Sequence, residues 1–216
     1  MHMPAGSPQE QIRVFLTRCN EEEGFILDLA EAMLERYGWD GRRAMELADL
    51  LTAANSAYAV KETWDGLEER VAPGVKELVR EAVDAARGSA GDHLANAWNE
   101  AYGRTPDPVK AYSEAIKAVE AALAQRVSPQ NGKQTLGTMI HDVTGKPSKW
   151  KFVIGDGSVA GVETLLHMMR TLWDGQTSRH GGLSPTRDED PDEARAAVHL
   201  AAALVQYGVS GAFDRA

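Results

Sequence analysis

The sequence predicts an all-α protein, an antiparallel helical bundle. Apolar residues recur at helical spacing through most of the 216 residues. Cap signatures, a Ser or Asp followed by Pro, open several of the apolar-periodic segments. No series of alternating runs is present that could build a sheet. Eight to ten helices are expected, with at most a short hairpin near 148–157.

Ser7-Pro8-Gln9-Glu10 is a capping box with Pro at the first helical position. Ile12, Phe15, Leu16 and Cys19 follow at helical spacing, and Phe25, Ile26, Leu29, Met33 and Leu34 continue it to Tyr37-Gly38. Glu21-Glu22-Glu23-Gly24 is a candidate break within this segment. A second helix is expected over about 42–54 on Met45, Leu47, Leu50 and Leu51. Shorter segments around 58–70, 74–86 and 92–102 read as helix too, punctuated by Pro73, Gly88-Ser89-Ala90-Gly91 and Gly103-Arg104-Thr105-Pro106.

The second half is more sharply written. Asp107-Pro108 is an N-cap and first position, and Val109, Tyr112, Ile116, Val119 and Leu123 keep one apolar face to about Arg126. After the turn Ser128-Pro129-Gln130-Asn131-Gly132, Leu136, Met139, Ile140 and Val143 form a short helix that Gly145 and Pro147 end. Trp150, Phe152 and Ile154 alternate with Lys151 and Val153, which fits an extended stretch or an apolar plug. Val162, Leu165, Leu166, Met169, Leu172 and Trp173 make the strongest amphipathic helix. Asp190-Pro191-Asp192-Glu193 caps the last one, which Ala194, Ala197, Val198, Ala201, Leu204 and Val205 carry to Tyr207-Gly208.

Composition bounds the function. Hydrophobic residues make up 43% and charged residues 25%, as in ordinary globular proteins. No apolar run approaches the ~18 residues of a membrane span, and the first seven residues lack the apolar core of a signal peptide. The single cysteine, Cys19, excludes an internal disulfide and any multi-cysteine metal site. A cytoplasmic location is expected. The net charge of −9 lies wholly in residues 1–103, with 10 Lys/Arg against 19 Asp/Glu, whereas residues 104–216 hold 13 of each. An acidic chain has no general attraction to nucleic-acid phosphates, so any such role needs a local site in the neutral half. No DNA partner, membrane partner, metal or cofactor is expected.

The chemistry-bearing stretch is Trp173-Asp174-Gly175-Gln176-Thr177-Ser178-Arg179-His180-Gly181-Gly182. It joins two helices and carries a guanidinium, an imidazole, an amide, a carboxylate and two hydroxyls. Loops held by rigid helices are where binding and catalytic groups concentrate. Zinc-helix, phosphate-loop and Gly-x-Ser-x-Gly signatures are absent. Gly155-Asp156-Gly157 reads as a turn; His93, His141, His167 and His199 are scattered over separate helices. Glu114 and Glu120 stand too far apart along their helix to act as one carboxylate pair.

Three stretches, Ala111-Tyr112-Ser113-Glu114-Ala115-Ile116-Lys117-Ala118-Val119-Glu120, Thr135-Leu136-Gly137-Thr138-Met139-Ile140 and Arg179-His180-Gly181-Gly182, occur in this order. Together they resemble the abortive-infection C-terminal family of the HEPN superfamily, over roughly residues 98–210. Residues 1–97 form an acidic helical N-terminal region outside the resemblance, and 98–216 the HEPN-like bundle. The resemblance implies a compact helical bundle, often a homodimer, and in many members a metal-independent RNA endonuclease of the defence or toxin type. It assigns the acid–base role to His180. The family's Arg lies four to six positions before that His, where this chain has Asp174, Gly175 and Gln176. The arginines at hand are Arg170 and Arg179.

Metal-free RNA cleavage needs a base for the 2′-hydroxyl, an acid for the leaving oxygen and a cation beside the phosphorane. Histidine serves in the first two roles and an Arg fork in the third. Gln176 and Asp174 are candidate substrate-binding groups, and Gly181 and Gly182 would let backbone approach the RNA. A two-fold dimer could bring Arg179 of one subunit to His180 of the other. Two other readings stand beside this one: a purely structural loop, with Arg179 capping a helix and His180 bonding backbone, and a non-catalytic module binding nucleotide, RNA or protein.

Overall fold

The structure is a computed structural model and describes residues 7–22, 24–37, 40–179 and 186–216. The protein is mostly helical, with nine α-helices and two two-stranded sheets among the described residues. Its contacts divide it into two compact units, one ending at Arg70 and one spanning Val71–Ala216.

The first unit holds α1 (Pro8–Glu21), α2 (Phe25–Tyr37) and α3 (Gly41–Ala53). Ser7 Oγ accepts the Glu10 N–H, so Ser7 caps α1 with Pro8 at the first helical position. The acidic run does break the segment, with Gly24 at φ 82° between α1 and α2. The small core is Ala30, Leu34, Ala44, Leu51 and Leu67. Helix was expected over 58–70, and the structure corrects this. β1 (Tyr58–Val60) and β2 (Leu67–Glu69) form an antiparallel hairpin, with Tyr58 opposite Glu69 and Val60 opposite Leu67. Asn55 and Trp64 have positive φ, 48° and 60°, which no helix accommodates. The Arg70 guanidinium then bonds the Ser56 and Tyr58 carbonyls at 3.0 and 3.2 Å, pinning the strand.

The second unit holds α4 (Pro73–Ala85), α5 (Ala90–Tyr102), α6 (Pro108–Val127), α7 (Leu136–Gly145), α8 (Val159–Asp174) and α9 (Pro191–Ser210). Residues 71–97, grouped by sequence with the N-terminal region, pack here: Val79, Ala82, Leu94 and Ala97 belong to the same core as α6 and α9. Their apolar stripes are covered by those helices. α5 and α6 run antiparallel, tied at both ends by His93–Glu114 and Glu100–Lys110 pairs. α6 is the central helix, burying Ala111, Ala115, Ala118, Val119 and Leu123. Small residues let α9 approach it closely; a Cβ on Gly208 would stand 2.8 Å from Leu123 Cδ2. α9 therefore continues past Gly208 and ends at Gly211, which has φ 77°.

The alternating stretch after α7 becomes β3 (Trp150–Phe152). Its partner is not local: it pairs antiparallel with β4 (Phe213–Arg215) at the end of the chain. Trp150 stacks on Phe213 at 5.3 Å, closing the base of the unit. Among the described residues, no helix is long and apolar enough to cross a membrane.

Candidate functional site

The polar loop leaves the C-terminus of α8, and α6 and α7 build its floor. Asp107 caps α6, accepting the Lys110 N–H at 2.9 Å, and this fixes the start of a helix that carries Tyr112 and Glu120. Thr135 caps α7 reciprocally with Thr138. The cap does not reach the Leu136 N–H of that helix end, and Glu120 Oε1 accepts it at 2.7 Å. A carboxylate at a helix N-terminus is also favoured by the helix dipole. Burial nevertheless pushes the Glu120 carboxyl up, and the Leu136 N–H, Arg179 and Lys117 only partly oppose it.

Gly137 follows directly, and its missing side chain is used. A Cβ there would lie 2.7 Å from Trp173 Cε2, so the indole lies flat on the first turn of α7. The Arg179 guanidinium covers that ring, 3.4 Å from its centroid. The loop thus doubles back: Arg179 returns to the residue just before Asp174. This is a stacked cation on the aromatic face that attracts it most strongly. Burial lowers the Arg179 pKa, against Asp174, Glu120 and Tyr112, which raise it. Arginine stays charged, so the consequence is a partly dehydrated guanidinium.

Tyr112 packs against Gly175, which could carry no side chain without striking the phenol. Burial, then Glu189 and Glu193, pushes the phenol up to about 12, with Arg179 opposing. The loop is closed by Glu189, only 3% exposed. Its Oε1 accepts the Ser178 N–H at 2.8 Å and lies 3.3 Å from Thr177 Oγ1. Burial pushes this carboxyl up, but the bonds from Ser178 and Thr177 outweigh it and hold it low. Thr177 Oγ1 also donates to the Arg187 carbonyl at 2.9 Å.

Of the residues singled out from sequence, Arg179 and Asp174 come together here, and Gln176 is half-buried in the same turn. Arg170 does not join them through any described contact. Its guanidinium donates to Thr144 Oγ1 at 2.8 Å, on the last turn of α7, whereas Arg179 lies above the first. His180, Gly181 and Gly182 lie outside the described residues. Glu114 and Glu120 have separate partners, as their spacing required: Glu114 bonds His93 Nδ1 and Lys117 Nζ, each at 2.7 Å. Glu120, Tyr112 and Trp173 were visible as motif members but not as site residues. Glu189 was hidden in the run Asp188-Glu189-Asp190, where nothing in the pattern distinguishes the buried carboxylate from its exposed neighbours.

Among the described residues no three His, Cys, Asp or Glu side chains converge to hold a metal ion. The floor of the site is a stacked guanidinium, a phenol, the buried Glu189 carboxylate and the half-buried Glu120, a set that can bind an anion and exchange protons. No protein-family model, curated protein or solved structure matches the chain.

Proposed function

We propose that the 71–216 unit is a metal-independent RNA endonuclease, with Arg179 as the phosphate-binding cation and His180 as the acid–base group. One observation carries this reading: the loop folds back so that Arg179 lies on Trp173, immediately before Asp174. The sequence lacks an Arg four to six positions before His180, and the fold returns a guanidinium to the start of that interval. The three stretches behind the HEPN resemblance also meet here, through Glu120–Leu136 and Trp173–Gly137. A preorganised, partly dehydrated guanidinium is suited to a developing phosphorane charge. Assembly as a homodimer, in the defence or toxin setting of the resemblance, belongs to the same proposal.

The test is cleavage of single-stranded RNA in EDTA, with the product ends identified. Wild type is expected to leave 2′,3′-cyclic phosphates and 5′-hydroxyls. His180→Ala should lose ~10²-fold or more in rate. Arg179→Ala should lose RNA affinity, and Arg179→Lys should not restore it, because a point charge replaces a fork that also stacks. Binding that depends on Arg179 without any cleavage would replace this reading with the non-catalytic module. The Asp174 and Glu120 carboxyls near the guanidinium favour that second reading, since they offset the charge offered to phosphate.

A further inference from the structure

Where α5 begins and α6 and α9 end, the 71–216 unit holds a cavity of about 580 Å³. That volume is typical of small-molecule sites. Its origin is local. The α4–α5 connection turns at Gly88, φ 63°, where an added Cβ would meet nothing within 4 Å. Ala121 and Ala122 of α6 and Gly208 of α9 line the gap, so no long side chain fills it. None of the lining residues belongs to the Arg179 site.

The polar side chains on its wall are Arg87, Arg126, Gln125, Gln134 and Ser89. Among the described residues no carboxylate lines it, although the chain carries a net charge of −9. Arg126 is half-buried and held by Asp214, whose Oδ2 is 2.6 Å from its Nη1. Asp214 offsets that charge, so Arg87 supplies the net positive one. Arg87 makes no ion pair or hydrogen bond with a described residue. Gln134 is half-buried; its Oε1 is enclosed and meets no donor. A buried acceptor without a donor is costly, and a ligand N–H would satisfy it once the amide turns. Ser89 stands at the N-cap of α5 but makes no side-chain cap bond, so its hydroxyl is open to a ligand.

Each group selects a part of the ligand. Guanidinium forks hold phosphate or carboxylate oxygens through paired N–H bonds. Two forks and a hydroxyl match the three oxygens of a phosphate better than the two of a carboxylate. An amide offers an acceptor and donors side by side, the complement of a nucleobase edge. A floor of alanine methyls suits the apolar face of a ring. We propose that this cavity binds a nucleoside monophosphate, its phosphate on Arg87, Arg126 and Ser89, its base over Ala121 and Ala122 and read by Gln134. Binding here needs no catalysis by the Arg179 loop, so the inference does not rest on the ribonuclease reading.

The experiment is isothermal titration calorimetry of the full chain with AMP, GMP, CMP and UMP, against the matching nucleosides, inorganic phosphate and succinate, with thermal melts of every variant. At least one monophosphate should saturate a single site, about tenfold or more tighter than phosphate, succinate or its own nucleoside. Arg87→Glu changes an exposed side chain, so it should melt like wild type and lose about tenfold or more in affinity. Ala121→Leu should weaken binding by filling the floor. Gln134→Leu should weaken the monophosphate and leave phosphate as it was. Three outcomes would overturn the proposal: no saturable binding of any monophosphate, phosphate or succinate binding as tightly as the nucleotide, or full affinity in Arg87→Glu. Loss of the nucleotide in Arg179→Ala but not in Arg87→Glu would move it to the loop site and leave this cavity without a ligand.

Discussion

At the scale of single residues, the site depends on what is missing as much as on what is present. Gly137 has no Cβ because the Trp173 ring occupies that place, and Arg179 closes the other face. Gly137→Ala should therefore cost about 1–3 kcal/mol by overpacking and lower the melting temperature. Gly132→Ala, where nothing lies within 4 Å of an added Cβ, should not. Equal melts for the two variants would mean that Trp173 does not sit on Gly137. Glu120 behaves differently. Its pKa is raised in the folded state by burial. A raised carboxyl adds stability that is full below the unfolded value of about 4.3 and lost as pH rises through the folded one. Ionised Glu120 is thus a burden at neutral pH. Glu120→Gln keeps the acceptor for the Leu136 N–H and sheds the charge. It should melt no lower than wild type at pH 7, with the difference vanishing in acid. A variant that melts well below wild type at pH 7 would show that the ion pairing with Arg179 outweighs desolvation.

At the scale of elements, helix ends do most of the positioning. Asp190 and Glu193 cap α9 reciprocally, and Arg187 holds Glu193, whose carboxyl its guanidinium lowers to about 2. This fixes the chain entering α9 and with it Glu189, which reaches back to the Ser178 amide at the exit of α8. Glu189→Ala leaves that amide without its acceptor, so its hydrogen exchange should speed up by about tenfold or more, equivalent to the ~1–3 kcal/mol of an unmade buried bond. Exchange in α6 should stay as it is. The pH dependence has the opposite sign from Glu120. Glu189 is held low in the fold, so its contribution is present above the unfolded carboxylate value and fades as pH falls through the folded one. Exchange at Ser178 that ignores both the substitution and acid would remove Glu189 as the closure of the loop.

At the scale of the whole molecule, the division at Arg70 and Val71 marks off the unit that carries the candidate site. The second unit has its own large core, drawn from α4 to α9, Trp150, Phe152 and Phe213. Residues 71–216 expressed alone should fold with strong helical dichroism and a cooperative melt. A piece starting at 98 should not, since it lacks α4 and most of α5 and would expose the core faces that Val79, Leu94 and Ala97 cover. Cooperative melting of the shorter piece, or its failure in the longer one, would move the boundary. Light scattering at tens of micromolar tests the proposed homodimer, and a monomer there removes a site shared across two subunits.

The sequence by itself determined the helices and most of their ends. Ser7-Pro8, Asp107-Pro108, Thr135 and Asp190-Pro191 are local signals: each cap satisfies amides within three residues, so the information lies beside its target. The same locality placed Arg179 and Asp174 in one loop and kept Glu114 and Glu120 apart. Only the tertiary structure decided the rest. Residues 58–70 became a hairpin because positive φ at Asn55 and Trp64, and an Arg70 anchor, override a helical pattern that short windows cannot exclude. β3 found β4 some sixty residues on, a pairing that no local period encodes. The return of Arg179 to Trp173, the separation of Arg170 onto Thr144 and the burial of Glu189 follow from how α6, α7, α8 and α9 meet. Spacing along a chain states which side chains a helix can bring to one face; which faces meet is set by packing across the core.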